Sequence, residues 1–320
     1  MPTVMDSVDI SVLISTRDRS SILPRLFDAM AVMEVPGGLT WELVIVNNGS
    51  SDATDSVLNS EVDRARLPLV VLQQPAPGKS RALNLALDNA RGALLVFTDD
   101  DVEPAPTWLK AYAEAADSHP DFPGFAGRVL PRWLGPLPDW LETEGEFALP
   151  RGMINSRDFG LQPMALPSDV VPGGVNTALR REAIDRMGKF REELGPGTAI
   201  PYAEDTEYME RLLAAGGRFF YVPDALLYHC NIPERMTKKY AEAWMYNVAR
   251  CQILAFGKSD GQGIPRYLAR QALERMVSWF FDFHPQRRFH KKLKLMTTLG
   301  QIAGHRQGPA QAGAVGPDAR

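Results

Sequence analysis

Three consecutive carboxylates, Asp99-Asp100-Asp101, directly follow the apolar run Ala93–Thr98. Like charges this close raise one another's pKa unless a cation is present. A hard divalent ion such as Mg²⁺ or Mn²⁺ binds one or two carboxylates together with phosphate oxygens. Because side chains alternate along an extended backbone, Asp99 and Asp101 are expected to point to the same side. The spacing favours a metal site that bridges to a diphosphate, and a solvated acidic turn is the alternative.

A glycine and a lysine begin a helical pattern at residues 78–90. Gly78-Lys79-Ser80 matches the end of the phosphate-binding P-loop motif, but the first glycine of that motif would stand at position 73, where the chain has Gln73. A helix N-terminus beside a lysine is still an anion site. No G-x-G-x-x-G pattern follows the first apolar run, which disfavours a dinucleotide-binding dehydrogenase.

Two acidic residues, Glu204-Asp205, begin another helical pattern, and His229 follows an apolar run. The helix macrodipole favours acidic residues in the first turn, so the acidic pair is by itself compatible with a structural role. His229 by itself fits either a metal ligand or a buried histidine with satisfied hydrogen bonds. The sequence pattern alone leaves both alternatives open.

The elements that would position these residues alternate between strands and helices. Strands are predicted at 10–15, 41–46, 69–72 and 93–98, with helices at 23–33, 54–59, 78–90 and 107–118. Apolar strands separated by helices predict a parallel sheet with helices on both faces. Ligands bind beyond the carboxyl ends of such strands. Three polar clusters follow three of these strands: Thr16-Arg17-Asp18, Asn47-Asn48 and the Asp99–Asp101 triplet.

The second half of the chain is less regular. Residues 131–172 contain seven prolines and little periodicity, which predicts a functional or mobile loop. Beyond it we expect strands at 176–179 and 219–222, helices at 181–187 and 204–214, and further helices after residue 230. The helix Tyr267–Phe281 places these apolar residues on one face: Leu268, Ala272, Leu273, Met276, Val277 and Phe280. The last dozen residues are rich in Gly, Ala and Pro and predict a disordered tail.

Composition excludes several classes of protein. The 320 residues are 45% hydrophobic and 23% charged, which is typical of a globular protein. No apolar run is long enough to span a bilayer, the first residues lack the apolar core of a secretory signal, and there are two cysteines. We therefore expect a cytoplasmic location.

The net charge is −4, yet residues 231–320 hold 15 Lys or Arg and 6 Asp or Glu. An acidic body with a basic tail disfavours nucleic acid as a partner.

Seven blocks in this order resemble family 2 glycosyltransferases, the inverting enzymes that use nucleotide-diphosphate sugars and have a GT-A fold. The blocks span about residues 10–230, and Gly127–Trp140 and Ile232–Arg250 also look like a bacterial subgroup. The seven are Ser11–Arg19 (SVLISTRDR), Val44–Asp52 (VIVNNGSSD), Gly78–Leu87 (GKSRALNLAL), Leu95–Pro104 (LVFTDDDVEP), Gly173–Phe190 (GGVNTALRREAIDRMGKF), Ala203–Gly216 (AEDTEYMERLLAAG) and Tyr221–His229 (YVPDALLYH).

The resemblance implies an α/β GT-A fold, a Rossmann-like, mostly parallel sheet flanked by helices, with a C-terminal helical extension. Residues 1–230 would form the catalytic domain, with a nucleotide-binding half at 1–130 and an acceptor-side half at 131–230. Residues 231–305 would form the extension and 306–320 a disordered tail.

The resemblance also implies roles for individual residues. Thr16, Arg17 and Asn47 would contact the nucleotide base or ribose, although many members have Asp at the position of Asn47. Lys79 and Arg81 would meet the diphosphate.

On the same resemblance, Asp99 and Asp100 belong to the nucleotide-sugar site. Asp101 would be the main ligand of Mn²⁺ or Mg²⁺, with Asp99 and His229 as further ligands. Asp205 would be the general base, with Glu204 beside it.

The expected function is an inverting, metal-dependent transfer of a sugar, most commonly from a UDP-sugar in this family, to an acceptor hydroxyl in cell-envelope polysaccharide biosynthesis. The acceptor would be a glycan, a lipid-linked molecule or a small molecule. A nucleotidyltransferase is one alternative, but the segment Thr16–Arg19 lacks the glycine of a triphosphate loop. A non-catalytic glycan-binding protein on the same scaffold is the other, and the presence of both Asp101 and Asp205 disfavours it.

The basic C-terminal region gives a further expectation. Five basic residues between 287 and 294 lie near Trp279, Phe280, Phe281 and Phe283. Such a mixture can lie on an anionic membrane, here the inner face of the cell membrane, and packing of the helices on the catalytic domain is the alternative.

Overall fold

The computed structural model of the protein describes residues 8–257 and 263–307. The strands in these ranges are β1 (Val8–Thr16), β2 (Trp41–Asn47), β3 (Leu69–Gln73), β4 (Gly92–Thr98), β5 (Val102–Pro104), β6 (Gly124–Trp133), β7 (Met164–Ala165), β8 (Asn176–Arg180) and β9 (Phe219–Asn231). The helices are α1 (Leu23–Ala31), α2 (Thr54–Arg64), α3 (Lys79–Asn89), α4 (Trp108–Ser118), α5 (Arg181–Met187), α6 (Glu204–Ala214), α7 (Lys238–Phe256), α8 (Arg266–Phe280) and α9 (Pro285–Gln307), with a short 3-10 helix at Pro233–Arg235.

One sheet runs in the order β3-β2-β1-β4-β8-β6-β9-β5, and β7 pairs with β9. The four strands of the first half are parallel to one another, as the sequence predicts. β8 joins antiparallel to β4 and to β6, whereas β6 and β9 are parallel. The predicted α/β class is confirmed, and the later strands make the sheet mixed.

Helices pack on both faces of this sheet, and apolar side chains therefore extend from both faces of its central strands. Ile10, Val12 and Ile14 of β1 pack in one core with α1 and α4. The intervening Leu13 packs in the opposite core with α3 and α6. This alternation is the two-residue period of a strand whose two faces both meet helices.

Strand β6 is absent from the sequence prediction, and the predicted strand at 219–222 continues as β9 to Asn231. Two glycines and Pro131 hide the strand pattern of β6. Gly127 is required by packing, because a Cβ there would lie 2.2 Å from Nδ2 of Asn176. The strand pattern of β6 is therefore interrupted at Gly127, where the side chain of Asn176 leaves no space for a Cβ.

Asn176 of β8 pairs with Thr98, the last residue of β4, and its side chain connects β8 to β6 and β9. Its amide nitrogen donates to the carbonyls of Arg128 (3.0 Å) and Ala225 (2.8 Å). Its amide oxygen accepts from Nε1 of Trp108 (2.8 Å) and from the hydroxyl of Tyr112 (2.7 Å). Asn176, Trp108, Tyr112 and Ala225 are buried, so these bonds satisfy polar atoms that would otherwise be costly to bury.

The proline-rich segment 131–172 is largely irregular, as predicted, but it packs against the C-terminal helices. Leu141, Leu149 and Met153 are buried in a separate apolar cluster with Ala241 of α7 and Phe289 of α9. The loop is thus held by the extension that follows the sheet. The division of the chain into domains stays a prediction.

The C-terminal helices are present, and the apolar face predicted for α8 is exposed. Leu268 is its buried apolar residue, whereas Leu273, Met276, Val277 and Phe280 are exposed. Among the residues that the structure describes, none of the helices is long and apolar enough to cross a membrane. Of the predicted disordered tail, Arg306 and Gln307 are helical and residues 308–320 lie outside the described residues.

Asp282 holds the turn between α8 and α9. Its buried carboxylate lies 2.6 Å from both Nε of Arg287 and Nζ of Lys291, and it accepts a hydrogen bond from the backbone N–H of His284. The hydrogen bonds from Arg287 and Lys291 lower the pKa of Asp282 well below its ordinary value. A carboxylate with a depressed pKa stabilises the folded state above its unfolded-state pKa, and that contribution is lost as the pH falls.

We predict that Asp282→Asn lowers the free energy of unfolding at pH 7. The difference from the parent chain shrinks below about pH 4, where the unfolded parent protonates this carboxyl. Urea unfolding at pH 7 and pH 3 measures it. Glu274→Gln, which removes an exposed carboxylate of α8, is the control. A constant difference at both pH values, or equal losses in the two variants, contradicts the prediction.

Candidate active site

The carboxyl ends of β1 and β4 bring two of the predicted polar clusters together. Thr16, the last residue of β1, donates from its hydroxyl to Oδ2 of Asp100 at 2.7 Å, and both side chains are buried. Arg19 lies on the other oxygen of Asp100 at 3.3 Å. Burial raises the pKa of Asp100 to about 7, with Asp101 acting in the same direction. Asp100 is therefore directed to β1.

Asp99 and Asp101 lie on the same side, as strand alternation predicts, and share a cluster with His229. One potential ligand atom from each of the three side chains lies within 4.8 Å of the others. Nε2 of His229 is 3.1 Å from Oδ1 of Asp101. His229 reaches this position because it pairs with Val102 of β5, inside β9. Two carboxylates and an imidazole are a ligand set that suits a divalent cation.

The surroundings keep this imidazole available as a ligand. Burial lowers the pKa of His229 below its ordinary value, although Asp101 and Asp99 oppose the shift. The amide of Asn155 lies 3.4 Å from Nδ1 of His229, on the side away from Asp101. A neutral histidine is the form that binds a metal, and a neighbour on the second nitrogen orients the ring.

Two arginines whose roles the sequence does not indicate neutralise the acidic triplet. Nη2 of Arg235 lies 3.1 Å from Oδ2 of Asp101, and Nη2 of Arg19 lies 3.8 Å from the same oxygen. Both arginines belong to blocks that resemble the family, but nothing in their spacing connects them to residues 99–101. Their proximity depends on β1 lying beside β4 and on the 3-10 helix that follows β9.

Lys79 links the acidic triplet to the second acidic pair. Its Nζ lies 2.6 Å from Oδ1 of Asp99 and 3.4 Å from Oε1 of Glu204. Burial by itself would lower the pKa of Lys79, but the two carboxylates outweigh it and the pKa lies above its ordinary value. Burial raises the pKa of Glu204 to about 7 despite Lys79. One lysine therefore joins two acidic groups that lie about a hundred residues apart.

Asp205 is fixed by backbone at the start of α6. Its Oδ2 accepts from the N–H of Gly174 at 3.0 Å, and its Oδ1 from the N–H of Thr206 at 2.7 Å. A Cβ at Gly174 would lie 2.4 Å from Cβ of Asp205, so a glycine is required there. Ala203, before the helix, has a φ of 79°, a left-handed conformation that turns the chain into α6. These contacts direct the Asp205 carboxylate to the cavity.

A cavity of about 430 Å³ contains Asp99, His229, Lys79, Glu204 and Asp205 in its wall. Asp99, His229, Glu204 and Asp205 therefore converge on one space, whereas Asp101 is not part of the wall and contacts His229. The wall is completed by side chains that the sequence did not single out, among them Asn155, Arg157, Arg235, Tyr240 and Trp244. Asn155 and Arg157 come from the proline-rich segment, and Tyr240 and Trp244 come from α7.

The other predicted nucleotide-sugar residues lie outside this wall. Arg17 is exposed and contacts Asp18 at 3.6 Å. Arg81 is directed to Glu192, at 3.0 Å. Asn47 is buried at the end of β2 and donates to Asp55 at 2.6 Å. Its neighbour Asn48, to which the sequence assigned no separate role, accepts from the N–H of Gly78 at 2.8 Å and so holds the start of α3.

Comparisons with known proteins identify the family and the fold. The model of the family "Glycosyl transferase family 2" matches residues 11–188. Among solved structures, the crystal structure of residues 1–349 of S. aureus TarS has a TM-score of 0.54 at 18% identity, covering 94% of this chain and 92% of that one. A mannosyltransferase from Pyrobaculum calidifontis, in complex with GDP-Man and Mn²⁺, has a TM-score of 0.59 at 19% identity, covering 93% and 88%.

Curated relatives are similar over most of this chain. The succinoglycan biosynthesis protein ExoM of Rhizobium meliloti is 24% identical over 77% of this chain and 72% of its own length. The pre-mycofactocin glycosyltransferase of Mycobacterium tuberculosis is 28% identical over 69% of this chain, which spans 42% of that protein. The family match, the relatives and the fold thus define a glycosyltransferase with the GT-A architecture. The family match covers more than half of the chain, and the chain belongs to glycosyltransferase family 2.

The ion pairs of Lys79 lead to a prediction about stability. Lys79→Met leaves the carboxylates of Asp99 and Glu204 without this cation, and we expect the free energy of unfolding to fall by about 2 kcal/mol at pH 8. Urea unfolding measures the loss. The control is Lys189→Met, which breaks the exposed pair with Asp88 and is expected to cost about 0.5 kcal/mol or less. Equal losses in the two variants contradict the prediction.

Proposed function

We propose that the protein is an inverting glycosyltransferase that transfers a sugar from a nucleotide-diphosphate sugar to an acceptor hydroxyl, with a divalent metal and Asp205 as general base. The observation that carries this proposal is the convergence of Asp99 and His229 with Asp205 on one cavity. Inversion requires a hydroxyl to attack the anomeric carbon from the side opposite the leaving diphosphate. A charged diphosphate site and a separate proton acceptor in one cavity meet that requirement.

The donor is proposed to be a UDP-sugar whose diphosphate lies beside Lys79. Structures of S. aureus TarS are described in complex with UDP-GlcNAc and with UDP, and the Pyrobaculum enzyme in complex with GDP-Man, which supports a nucleotide-sugar donor here. Thr16, Arg17 and Asn47 are proposed to contact the base or ribose, with Arg81 as a second diphosphate contact. Arg81 would first have to leave Glu192.

Asp101, Asp99 and His229 would hold Mn²⁺ or Mg²⁺. The donor set fits, because two carboxylates and one imidazole with a lowered pKa each offer a ligand atom, and these three atoms lie within 4.8 Å of one another. The Mn²⁺ in the Pyrobaculum complex supports this assignment. When bound, such an ion supplies positive charge to the leaving diphosphate. Asp100 is proposed to contribute indirectly to the donor site by positioning its two neighbours, since its own oxygens face Thr16 and Arg19.

The base is proposed to be Asp205 rather than Glu204. Two backbone N–H groups donate to Asp205 and hold its carboxylate in the wall of the cavity. Burial raises the pKa of Glu204 to about 7, so near neutral pH a fraction of this residue is protonated and cannot accept one. The carboxylate of Asp205 would take the acceptor's hydroxyl proton as the new bond forms.

The acceptor is proposed to enter from the side formed by the proline-rich segment and α7. Trp244 and Tyr240 offer aromatic surface there, which suits the apolar faces of a sugar, and Arg157 offers a cation. A glycan, a lipid-linked molecule or a small molecule with a free hydroxyl all satisfy these contacts. The relatives named for succinoglycan biosynthesis and for poly(ribitol-phosphate) glycosylation support a role in envelope polysaccharides.

The test of the base is Asp205→Asn. We expect nucleoside diphosphate release from a panel of UDP- and GDP-sugars with Mn²⁺ to fall by 10²–10⁴-fold, because general base catalysis contributes about that much. UDP binding, measured by calorimetry, should stay within about twofold, because the contacts to the donor are unchanged.

Gly174→Ala should reproduce the effect of Asp205→Asn in a milder form, because the added Cβ displaces Asp205. The control is Glu210→Gln, an exposed carboxylate of the same helix. Loss of UDP binding in parallel with turnover in Asp205→Asn would overturn the base assignment.

The metal assignment has its own prediction. Asp101→Asn and His229→Gln should each weaken Mn²⁺ binding by about tenfold or more, because each removes one of three ligands. Mn²⁺ titration by electron paramagnetic resonance measures this. With the parent chain, UDP should raise the melting temperature more with Mn²⁺ than without it. Asp121→Asn, at an exposed position outside the cluster, is the control. Unchanged Mn²⁺ affinity in both variants contradicts the assignment.

A further inference from the structure

α8 exposes most of its large apolar side chains, whereas Leu268 is buried and Arg270 and Glu274 are exposed as well. Leu273, Met276, Val277 and Phe280 are exposed on the helix, and Phe281 and Phe283 extend the same surface into the following turn. We call these six residues the α8 apolar surface. Phe280 is 60% exposed, Phe281 66% and Phe283 85%. Monomeric proteins in water rarely expose so many large apolar side chains together, and where they do the patch marks an interaction site.

Polar contacts hold α8 on the rest of the molecule. Nη1 of Arg275 donates to the carbonyl of Lys294 and to the hydroxyl of Thr298, both at 2.6 Å. The hydroxyl of Thr298 in turn donates to Gln271 at 3.2 Å. Polar side chains therefore contribute to the attachment of α8 to α9, while Leu273, Met276, Val277 and Phe280 remain exposed. A surface helix of a globular protein normally buries its large apolar residues, so their exposure here needs an explanation.

Positive charge surrounds the α8 apolar surface. Residues 263–307 contain nine Lys or Arg and two Asp or Glu. Of the two acids, Asp282 is neutralised by Arg287 and Lys291, and Glu274 pairs with Arg270. Arg266 is exposed at the start of the helix, and the guanidinium of Arg288 lies 5.4 Å from the ring of Trp279. A helix with Phe and Leu on one side and Arg nearby suits the interface of an anionic membrane.

We propose that the α8 apolar surface inserts into the headgroup region of an anionic lipid bilayer, with the surrounding arginines on the lipid phosphates. The complementary charge favours a bilayer over a second copy of this chain, because two such surfaces face to face would bring two positively charged rims together. The sequence of residues 308–320 does not suit the α8 apolar surface as a binding partner, because Val315 is its one large apolar residue. The proposal goes beyond sugar transfer and does not depend on it.

Vesicle co-sedimentation of the full chain tests this proposal. Vesicles of phosphatidylcholine alone are compared with vesicles that also contain phosphatidylglycerol. We expect binding to the anionic vesicles and a loss of it as salt is raised. The apolar contribution is tested with the triple variant Phe280→Ser, Phe281→Ser and Phe283→Ser, for which the partition coefficient should fall about tenfold or more. These side chains are exposed, so the variant should keep its fold, and circular dichroism checks this.

Matched controls separate the surface from general effects of substitution. The apolar control carries Val32→Ser, Leu137→Ser and Leu161→Ser, which are exposed positions outside α8. The charge variant carries Arg266→Gln, Arg270→Gln and Arg288→Gln, and each lost charge should weaken binding about fivefold. The charge control carries Arg64→Gln, Lys189→Gln and Arg218→Gln, which are exposed elsewhere. Both controls should bind as the parent chain does.

Three results would overturn the proposal. The first is no binding of the parent chain to anionic vesicles. The second is equal binding of the triple Phe variant and its apolar control. The third is a dimer in sedimentation velocity without lipid that the triple Phe variant abolishes, which would assign the surface to a second copy of the chain. Because the readout is lipid binding, a failure here leaves the sugar transfer untouched, and a failure of the Asp205 test leaves the surface untouched.

Discussion

The constraint on which the site depends is the cost of placing three adjacent carboxylates at the end of a buried strand. The protein meets it by splitting the triplet between two environments. Asp100 turns to Thr16 and Arg19, while Asp99 lines the cavity and Asp101 contacts His229. Lys79 and Arg235 then supply positive charge to Asp99 and Asp101. The acidic residues can stay close because neighbouring elements bring cations to them.

This charge balance also connects the two halves of the sheet. Lys79 begins α3, which belongs to the parallel half, and it contacts Glu204, which begins α6. Asp205 is fixed through Gly174, at the approach to β8. The lysine that we propose for the donor diphosphate is therefore ion-paired with Glu204, the residue directly before the proposed base Asp205. A disturbance at Lys79 would reach both.

The C-terminal helices have two separate contributions. α7 and α9 bury the apolar residues of the proline-rich segment, and α7 adds Tyr240 and Trp244 to the cavity wall. α8 makes polar contacts with α9 and leaves most of its large apolar residues exposed. One extension would thus complete the acceptor side and present a surface for lipid, which suits an enzyme whose acceptor is attached to a membrane.

The sequence by itself determined the alternation of apolar strands and helices, the shared side of Asp99 and Asp101 and the acidic start of α6. These features follow from periods of two and 3.6 residues and from helix-end electrostatics, which act over a few neighbouring positions. Residues such as Arg19 and Arg235 became part of the site only through the order of strands and the packing after β9. β6 was hidden in part because Gly127 leaves space for Asn176, a residue about fifty positions away. The surroundings of α8 could not be predicted from its sequence either. Periodicity groups its apolar residues on one face, but which neighbour that face meets depends on how the helices pack, and here the tertiary structure directs it outward.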